Sequence, residues 1–488
     1  MTEISKTNST CARLALAAAH DLRAVMLGNV LLPGERAYSS ACQIWNGAVD
    51  HRPALFALCR TVEDVQAAVR TARAHNLPLS VRGGGHDWAG RALRHDGLVV
   101  DLSGMRGVEV DHQARVAKVG GGATAIDLIT AAAPHGLAAA TGTVGAVGMV
   151  GMTLGGGYGP LTSRYGLALD NLLEAKVVLA DGQVVVANGF ENAELFWALR
   201  GGGGNFGVVV SITVRLHPID KLLAGLILFP WSEAESVLRG YAEKVASAPD
   251  ELTVTVCMLS CPTGEPLLFL APTWSGEHSE GEQIITGLQT LGTPILVRVG
   301  PMSCSDLLAM HDTHVVNGRH YAVKTHWISA MTPEVISKLV AAGAYRASPL
   351  SAIKLYPFHG AATRVPFDAT AFGLRREHFL VEITAAWEPG DNIAIHRQWA
   401  QNFSRALAPV ELPGGYPNLL GPEELDRIAQ AYGDNIGRLQ QVKRRFDPEW
   451  IFSATPLPRE AAEGCDAERV KKGQKTYGQA EQSTLELD

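Results

Sequence analysis

The sequence predicts an α+β protein of two domains, the second an antiparallel sheet with helices. Three observations predict this. The chain has 488 residues, more than one hydrophobic core usually serves. From about 54 to 220 the texture is α/β: short β-branched runs alternate with helical stripes and glycine clusters. Near Pro218 the clusters thin out and long strand-like segments take over.

The Ala/Leu stretch "CARLALAAAHDLRAV" reads as a surface helix over 11–25; with no basic leader before it, it is not expected to be a secretory signal. "TVEDVQAAVRTARAHN" (61–76) places Val65, Ala68, Val69 and Ala72 on one helical stripe, opened by Thr61 with Asp64 three residues on. The strand "LPLSV" then runs into glycines. "GLVVDLSGM" and "RVAKVGGGA" are strands, and "TAIDLITAAAPHG" is a helix stopped by Pro134 and Gly136. "EAKVVLADGQVVVA" is a hairpin around Asp181 and Gly182. "ELFWALR" is a helix and "FGVVVSITVRL" a strand. Over 219–414, "LLAGLILFPW", "ELTVTVCMLS", "GEPLLFLAPTW" and "EHFLVEITAAW" are strands, with helices such as "PEVISKLVAAG" between them. Residues 432–452 form a helix broken before Pro448. The polar tail after Pro458 is expected to be loosely ordered.

Composition narrows the function. With 42 basic and 49 acidic residues the net charge is −7, which argues against a nucleic-acid groove. No apolar run reaches the roughly 20 residues a membrane span needs. Seven scattered cysteines without a CxxC pair fit a reducing, cytoplasmic setting. "HDTH" (311–314) with His320 has no partner in a recognised metal pattern, so no metal is expected. Cys257 and Cys261 read as packing residues, and Trp387 and Trp399 as core or pocket wall.

Four glycine clusters stand out: "RGGGHDWAG" (82–90), "GGGA" (120–123), "TGTVGAVGMVGMTLGGGYG" (141–159) and "RGGGGNFGVVV" (200–210). Glycine costs conformational entropy. Four such clusters in one half of a chain point to close approach of main chain to a large ligand. "GGGNFG" satisfies GxGxxG but follows a helix and precedes a strand, the reverse of a dinucleotide fingerprint. "VRGGGHDWAG" offers main-chain N–H groups to a phosphate, with Arg82 available for charge. His86 is either a loop histidine bonded to a nearby carbonyl or a covalent anchor for a flavin methyl group.

In order, "LPLSVRGGGHDWAG", "GLVVDLSGM", "TGTVGAVGMVGMTLGGGYGPLTSRYGLALDNLLEAKVVLADG", "ELFWALRGGGGNFGVV" and "RLQQVKRRFDPEWIF" resemble the berberine bridge enzyme-like FAD-linked oxidases of the vanillyl-alcohol oxidase superfamily. In texture the bacterial hydroxynicotine oxidases look most similar. The resemblance is strong over 45–220, good over 415–452 and weak over 220–414. It implies a two-domain flavoprotein of vanillyl-alcohol oxidase type. Its FAD-binding domain is discontinuous, 1–218 plus 415–458, and its substrate domain is 219–414. His86 is implied to carry FAD covalently, with Arg82, Gly83, Gly84, Gly85 and Asp87 at the pyrophosphate. Thr141, Gly142, Gly148, Gly151, Gly155, Gly156 and Gly157 are implied to flank the isoalloxazine and ribityl chain. Val208 falls at the adenine end, and "YPN" places Tyr416 and Asn418 beside the ring. Val144 stands where many relatives carry a second, cysteinyl attachment, so a single link is implied. In "IKLYPFHGAATRVP", His359 replaces a glycine of the relatives, which weakens any transfer of a sugar substrate.

The expected chemistry is hydride transfer from a C–H beside an amine or hydroxyl of a small aromatic or heterocyclic substrate, with dioxygen giving hydrogen peroxide. Tyr416 and His359 are the candidate bases, and Tyr321 or Lys324 in "GRHYAVKTHW" could line the pocket. The alternatives are a dehydrogenase with another acceptor and a flavin-binding sensor or carrier without turnover. A homodimer is the default assembly.

Overall fold

The computed structural model describes residues 2–458, apart from 220, 262, 313, 314 and 456. The expected tail over 459–488 lies outside the described residues, as does His314 of the histidine-rich motif. The N-terminal helix, Thr2–Arg23, starts earlier than its apolar stretch predicts. It is also more than a surface helix. Ala15, Ala18, Ala19 and Leu22 form a stripe buried against Val65, Ala68, Val69 and Ala72 of helix Val62–Ala74. That second helix opens on the expected capping box, Thr61 accepting from the Asp64 N–H at 3.2 Å.

Two small sheets, and a two-stranded pairing of Leu137–Ala138 with His217–Pro218, form from the residues before 219. The first is ordered Asn29–Leu31, Leu55–Leu58, Leu98–Asp101, Leu79–Arg82. Its last three strands are parallel. The second holds Val108–Asp111, Val116–Gly120, Val208–Arg215, Leu172–Val178 and Val184–Asn188, antiparallel throughout. This corrects the α/β reading of 54–220: only the first sheet has parallel strands. The hairpin around Asp181 and Gly182 is present.

Strands between 222 and 412 form one antiparallel sheet of eight. Period-2 alternation gives it two unlike faces. On one, Ile227, Val256, Ile353, Leu355, Val381 and Ile383 are buried under helices Ala234–Val245, Pro333–Ala344 and Ile393–Leu407. The other carries Cys257, Val323, Lys354, Tyr356, Glu382 and Thr384 and borders a cavity. Trp387 is fully buried in the core under the helices.

The chain then returns to its first half. In helix Ile436–Phe446 the Lys443 side chain is fully buried. Its ammonium donates to the Asn205 and Phe452 carbonyls and to Asp447, each at 2.6 Å. Phe452 bridges in parallel to Leu79, at the head of the strand that leads into the first glycine cluster. Among the described residues no helix is long and apolar enough to cross a membrane.

Candidate active site

A cavity of about 820 Å³ lies between the glycine-rich segments and the uncovered face of the eight-stranded sheet. Four stretches distant in sequence meet at it: Gly83 to Asp87, Gly142 to Leu154, Gly203 to Val209, and Tyr416 to Leu419. The glycines there are needed for close approach. A Cβ built on Gly84 would stand 2.5 Å from the Gly148 nitrogen, and one on Gly148 2.6 Å from that of Gly84. The two loops thus pass main chain against main chain. At Gly151 no atom lies within 4 Å of a Cβ position, so a side chain there would enter the cavity.

Gly155 and Gly156 do something else. They do not line the cavity; a Cβ on Gly155 would meet the Asn418 amide at 2.1 Å, and one on Gly156 would meet the Tyr416 ring at 2.8 Å. With Gly157 they let Tyr416 and Asn418 dock from the far end of the chain. Thr141 likewise stands off the cavity, its hydroxyl donating to the Gly142 carbonyl. Val208 is fully buried in the core, while its neighbours Gly207 and Val209 reach the cavity. Val144 lines the cavity with an apolar side chain.

His86 stands on the wall, and its Nε2 is buried with no hydrogen-bond partner among the described residues. Burial pushes its pKa down to about 4, which keeps the imidazole neutral and a lone pair available. Arg82 departs from expectation. Its guanidinium pairs with the buried Asp101 carboxylate and donates to the Ala41 carbonyl, and it does not line the cavity. An adjacent buried carboxylate claims that charge more strongly than an open loop can. Asp87 accepts from the Arg91 N–H at 2.9 Å. Arg91 in turn donates to the carbonyls of Pro417, Asn418 and Leu420, and the Trp88 indole to that of Leu419 at 3.0 Å. The loop carrying His86 and the segment carrying Tyr416 are therefore fastened together.

At neutral pH burial keeps Tyr416 protonated. Its hydroxyl oxygen accepts from the Gly157 N–H at 2.9 Å and from the Asn418 amide at 3.0 Å. Both lone pairs are engaged, and only the O–H remains to be given. Burial also pushes its pKa up to about 12. His359 is corrected outright. Alternation along strand Ala352–Phe358 puts Lys354 and Tyr356 on the cavity, and His359, beyond the strand end, does not line it. Alternation corrects Lys324 as well. It shares its face with His326 and pairs with Glu423 at 2.5 Å and Glu424 at 3.4 Å, while Tyr321 and Val323 face the cavity.

The polar chemistry of the sheet face lies in residues the sequence reading passed over. Lys354 and Glu382 are register partners, with ammonium and carboxylate 3.6 Å apart. The Glu382 carboxylate accepts from the Tyr356 hydroxyl at 3.3 Å and from the Thr384 hydroxyl at 2.9 Å. Burial opposes the Lys354 charge, but Tyr356 and Glu382 outweigh it and hold the ammonium above its usual range. Burial, then Glu382, drives the Tyr356 phenol upward. A lysine or glutamate facing the same way as apolar neighbours in a buried strand was the available sign. The walls nearby are Leu226, Phe269, Leu350 and Leu380. The residues fit a flavin dinucleotide: a bare main-chain cradle, an orphaned imidazole nitrogen and open space above Gly151.

The comparisons agree. The family described as "FAD binding domain" matches residues 53–188, and "Berberine and berberine like" matches 415–456. The FAD-linked oxidoreductase aurO of Gibberella zeae is 33% identical over 429 residues, covering 85% of this chain and 82% of that protein. The chain belongs to the berberine bridge enzyme-like FAD-linked oxidoreductases. Another member, the (R)-6-hydroxynicotine oxidase of Paenarthrobacter nicotinovorans, is 31% identical over 447 residues, covering 87% of this chain and 95% of that one. Among solved structures, 6-hydroxy-D-nicotine oxidase from Arthrobacter nicotinovorans superposes with a TM-score of 0.80 at 29% identity, over 89% of this chain and 98% of that one. Xylooligosaccharide oxidase from Myceliophthora thermophila gives 0.79 at 26%, over 91% and 100%. As a berberine bridge enzyme-like protein, this chain is an FAD-dependent oxidoreductase of the vanillyl-alcohol oxidase type.

Proposed function

We propose that this enzyme is an oxidase of a small aromatic or heterocyclic amine or alcohol, with dioxygen as acceptor and hydrogen peroxide as product. The observation that carries this reading is the cavity's sheet face, where Leu226, Phe269, Leu350 and Leu380 surround the Lys354–Tyr356–Glu382 cluster, with Ser260, Arg319 and Thr384 as further polar residues. A carbohydrate needs many hydrogen-bonding partners, and these walls favour a flat apolar ring with one polar group instead. Bound FAD supplies the two-electron acceptor for the hydride. Tyr356 takes the proton of the substrate heteroatom and passes its own to Glu382. Lys354 limits the build-up of charge on that pair. Tyr416 gives its O–H toward the cofactor, and the leucine walls orient the ring and exclude water.

His86 is the single covalent attachment point in this reading, supported by its orphaned Nε2 and by Val144 where a thiol would be required for a second bond. Residues 1–218 with 415–458 form the FAD-binding domain and 219–414 the substrate domain. Support comes from the segregation of strands between the sheets and the anchoring of Lys443 and Phe452 on the first half.

The test is a panel of heteroaromatic amines, benzylic alcohols and sugars added anaerobically to the yellow protein. Bleaching by the aromatic compounds, then recolouring in air with one peroxide per turnover, is expected. Bleaching by sugars alone would overturn the substrate class. Recolouring only with an added dye would make the enzyme a dehydrogenase.

A further inference from the structure

One ring on the cavity wall has no part in the chemistry above. The Trp45 indole lies face to face with the His86 imidazole, with centroids 4.4 Å apart and planes 10° from parallel. Its other neighbour is the Tyr321 phenol, at 4.1 Å and 22°. All three residues line the cavity. Trp45 is pinned through its main chain, donating to the Gly85 carbonyl at 3.0 Å and accepting from the Gly318 N–H at 2.9 Å. Next to it, the buried Asn46 side chain donates to the Trp88 and Tyr321 carbonyls at 2.6 and 3.0 Å and accepts from the Tyr321 N–H at 2.9 Å. Tyr321 is fixed at its far end too, its hydroxyl donating to the Val316 carbonyl at 2.9 Å. The indole is thus anchored at its own main chain and backed by a second anchored ring.

His86, by contrast, follows three glycines, and its Nε2 makes no hydrogen bond among the described residues. Its polar contact is with its own main chain, and the face of the imidazole is held by the stack. A nitrogen nucleophile reacts through an in-plane lone pair, so fixing the ring plane fixes the direction of attack. We propose that Trp45 is a positioning residue for cofactor attachment, holding the His86 ring in the orientation from which Nε2 bonds to the flavin. This rests on the reading of His86 as the attachment point. The bond joins the imidazole nitrogen to the methyl carbon on the benzenoid ring. One methyl C–H and the imidazole N–H are broken. The electron pair passes through the cofactor to dioxygen, which leaves with both protons as hydrogen peroxide.

The test compares wild type, Trp45→Leu, Trp45→Phe and His86→Ala. Apoprotein from flavin-depleted cells is mixed with FAD in air. Total bound flavin and acid-stable flavin are followed separately. Trp45→Leu is expected to bind FAD but attach it about ten-fold or more slowly, while Trp45→Phe, which keeps a stacking ring, stays close to wild type. His86→Ala attaches none. A merely structural role for Trp45 would lower total and acid-stable flavin in proportion and leave the attachment rate of bound flavin unchanged; that result overturns the proposal. Should the leucine variant not fold, Tyr321→Leu carries the test: removing the backing ring must slow attachment, and an unchanged rate overturns the proposal equally. Wild type without acid-stable flavin would overturn the His86 reading and this inference together. Wild type with it, and Trp45→Leu at the same rate, would overturn this inference alone.

Discussion

Lys354 and Glu382 face each other across two paired strands, ammonium to carboxylate at 3.6 Å, on the face of the eight-stranded sheet that borders the large cavity. The same carboxylate accepts from Tyr356 and Thr384. A carboxylate with that many donors is held in place, and the Tyr356 phenol connects it to the cavity.

Glu382→Gln keeps the shape and removes the proton acceptor. Flavin bleaching by a competent substrate under anaerobic stopped flow is expected to slow by about 100-fold. Tyr356→Phe should slow it comparably, since the relay then has no first member. A Glu382→Gln rate within two-fold of wild type would show that the proton leaves by another route.

Lys354→Met leaves the carboxylate without its counter-charge. The side chains keep 23% and 16% exposure, so the loss should be about 2 kcal/mol, short of the 3–5 of a fully buried pair. The double variant Lys354→Met/Glu382→Leu should recover most of it. Urea unfolding of the apoprotein measures both.

Gly151→Ala separates cradle from scaffold. The Cβ meets nothing within 4 Å, and alanine favours the helix Met149–Gly155 by up to about 1 kcal/mol. The apoprotein should be as stable as wild type or more so, yet bind FAD less tightly by titration. Gly156→Ala should act oppositely on folding. Its φ is +147° and its Cβ would press on Tyr416, so a stability loss of about 1–3 kcal/mol is expected.

Acid should destabilise the apoprotein before its carboxylates protonate. Burial first of all holds His86 and His217 down to about 4 and His378 to about 3. Their unfolded value is near 6.5. Below that, the unfolded chain takes up protons the folded one refuses, so stability falls as pH drops from about 6.5 toward 4. Each fully titrating group contributes at most about 1.4 kcal/mol per pH unit. Urea midpoints that stay flat between pH 6.5 and 4.5 would contradict this.

Elements were legible because local chemistry set them. The Thr61–Asp64 box, the Pro134–Gly136 stop and the Asp181–Gly182 turn all stand as read. So was the meeting of glycine clusters at one cavity, with His86 on its wall, because bare main chain has few other uses. Partnership was not legible. Arg82 looked free until Asp101, 19 residues on, came alongside through parallel pairing of strands. Tyr416 was legible, but not the Gly157 and Asn418 donors that meet its oxygen. Lys324 failed because alternation along its strand does not settle which parity faces inward, and the neighbours that decide it lie on other strands. His359 failed because a glycine position in the relatives does not fix where a side chain beyond the strand end stands.

The return of the last helix to the first sheet has a temporal meaning. Tyr416, Asn418, Phe452 and Thr455 all border the cavity whose wall is begun at Gly83 to Asp87. During synthesis the early loop must wait, incomplete, until Thr455 has left the ribosome. Cofactor capture therefore follows helix Ile436–Phe446, and nascent chains arrested before that helix emerges cannot build the complete pocket.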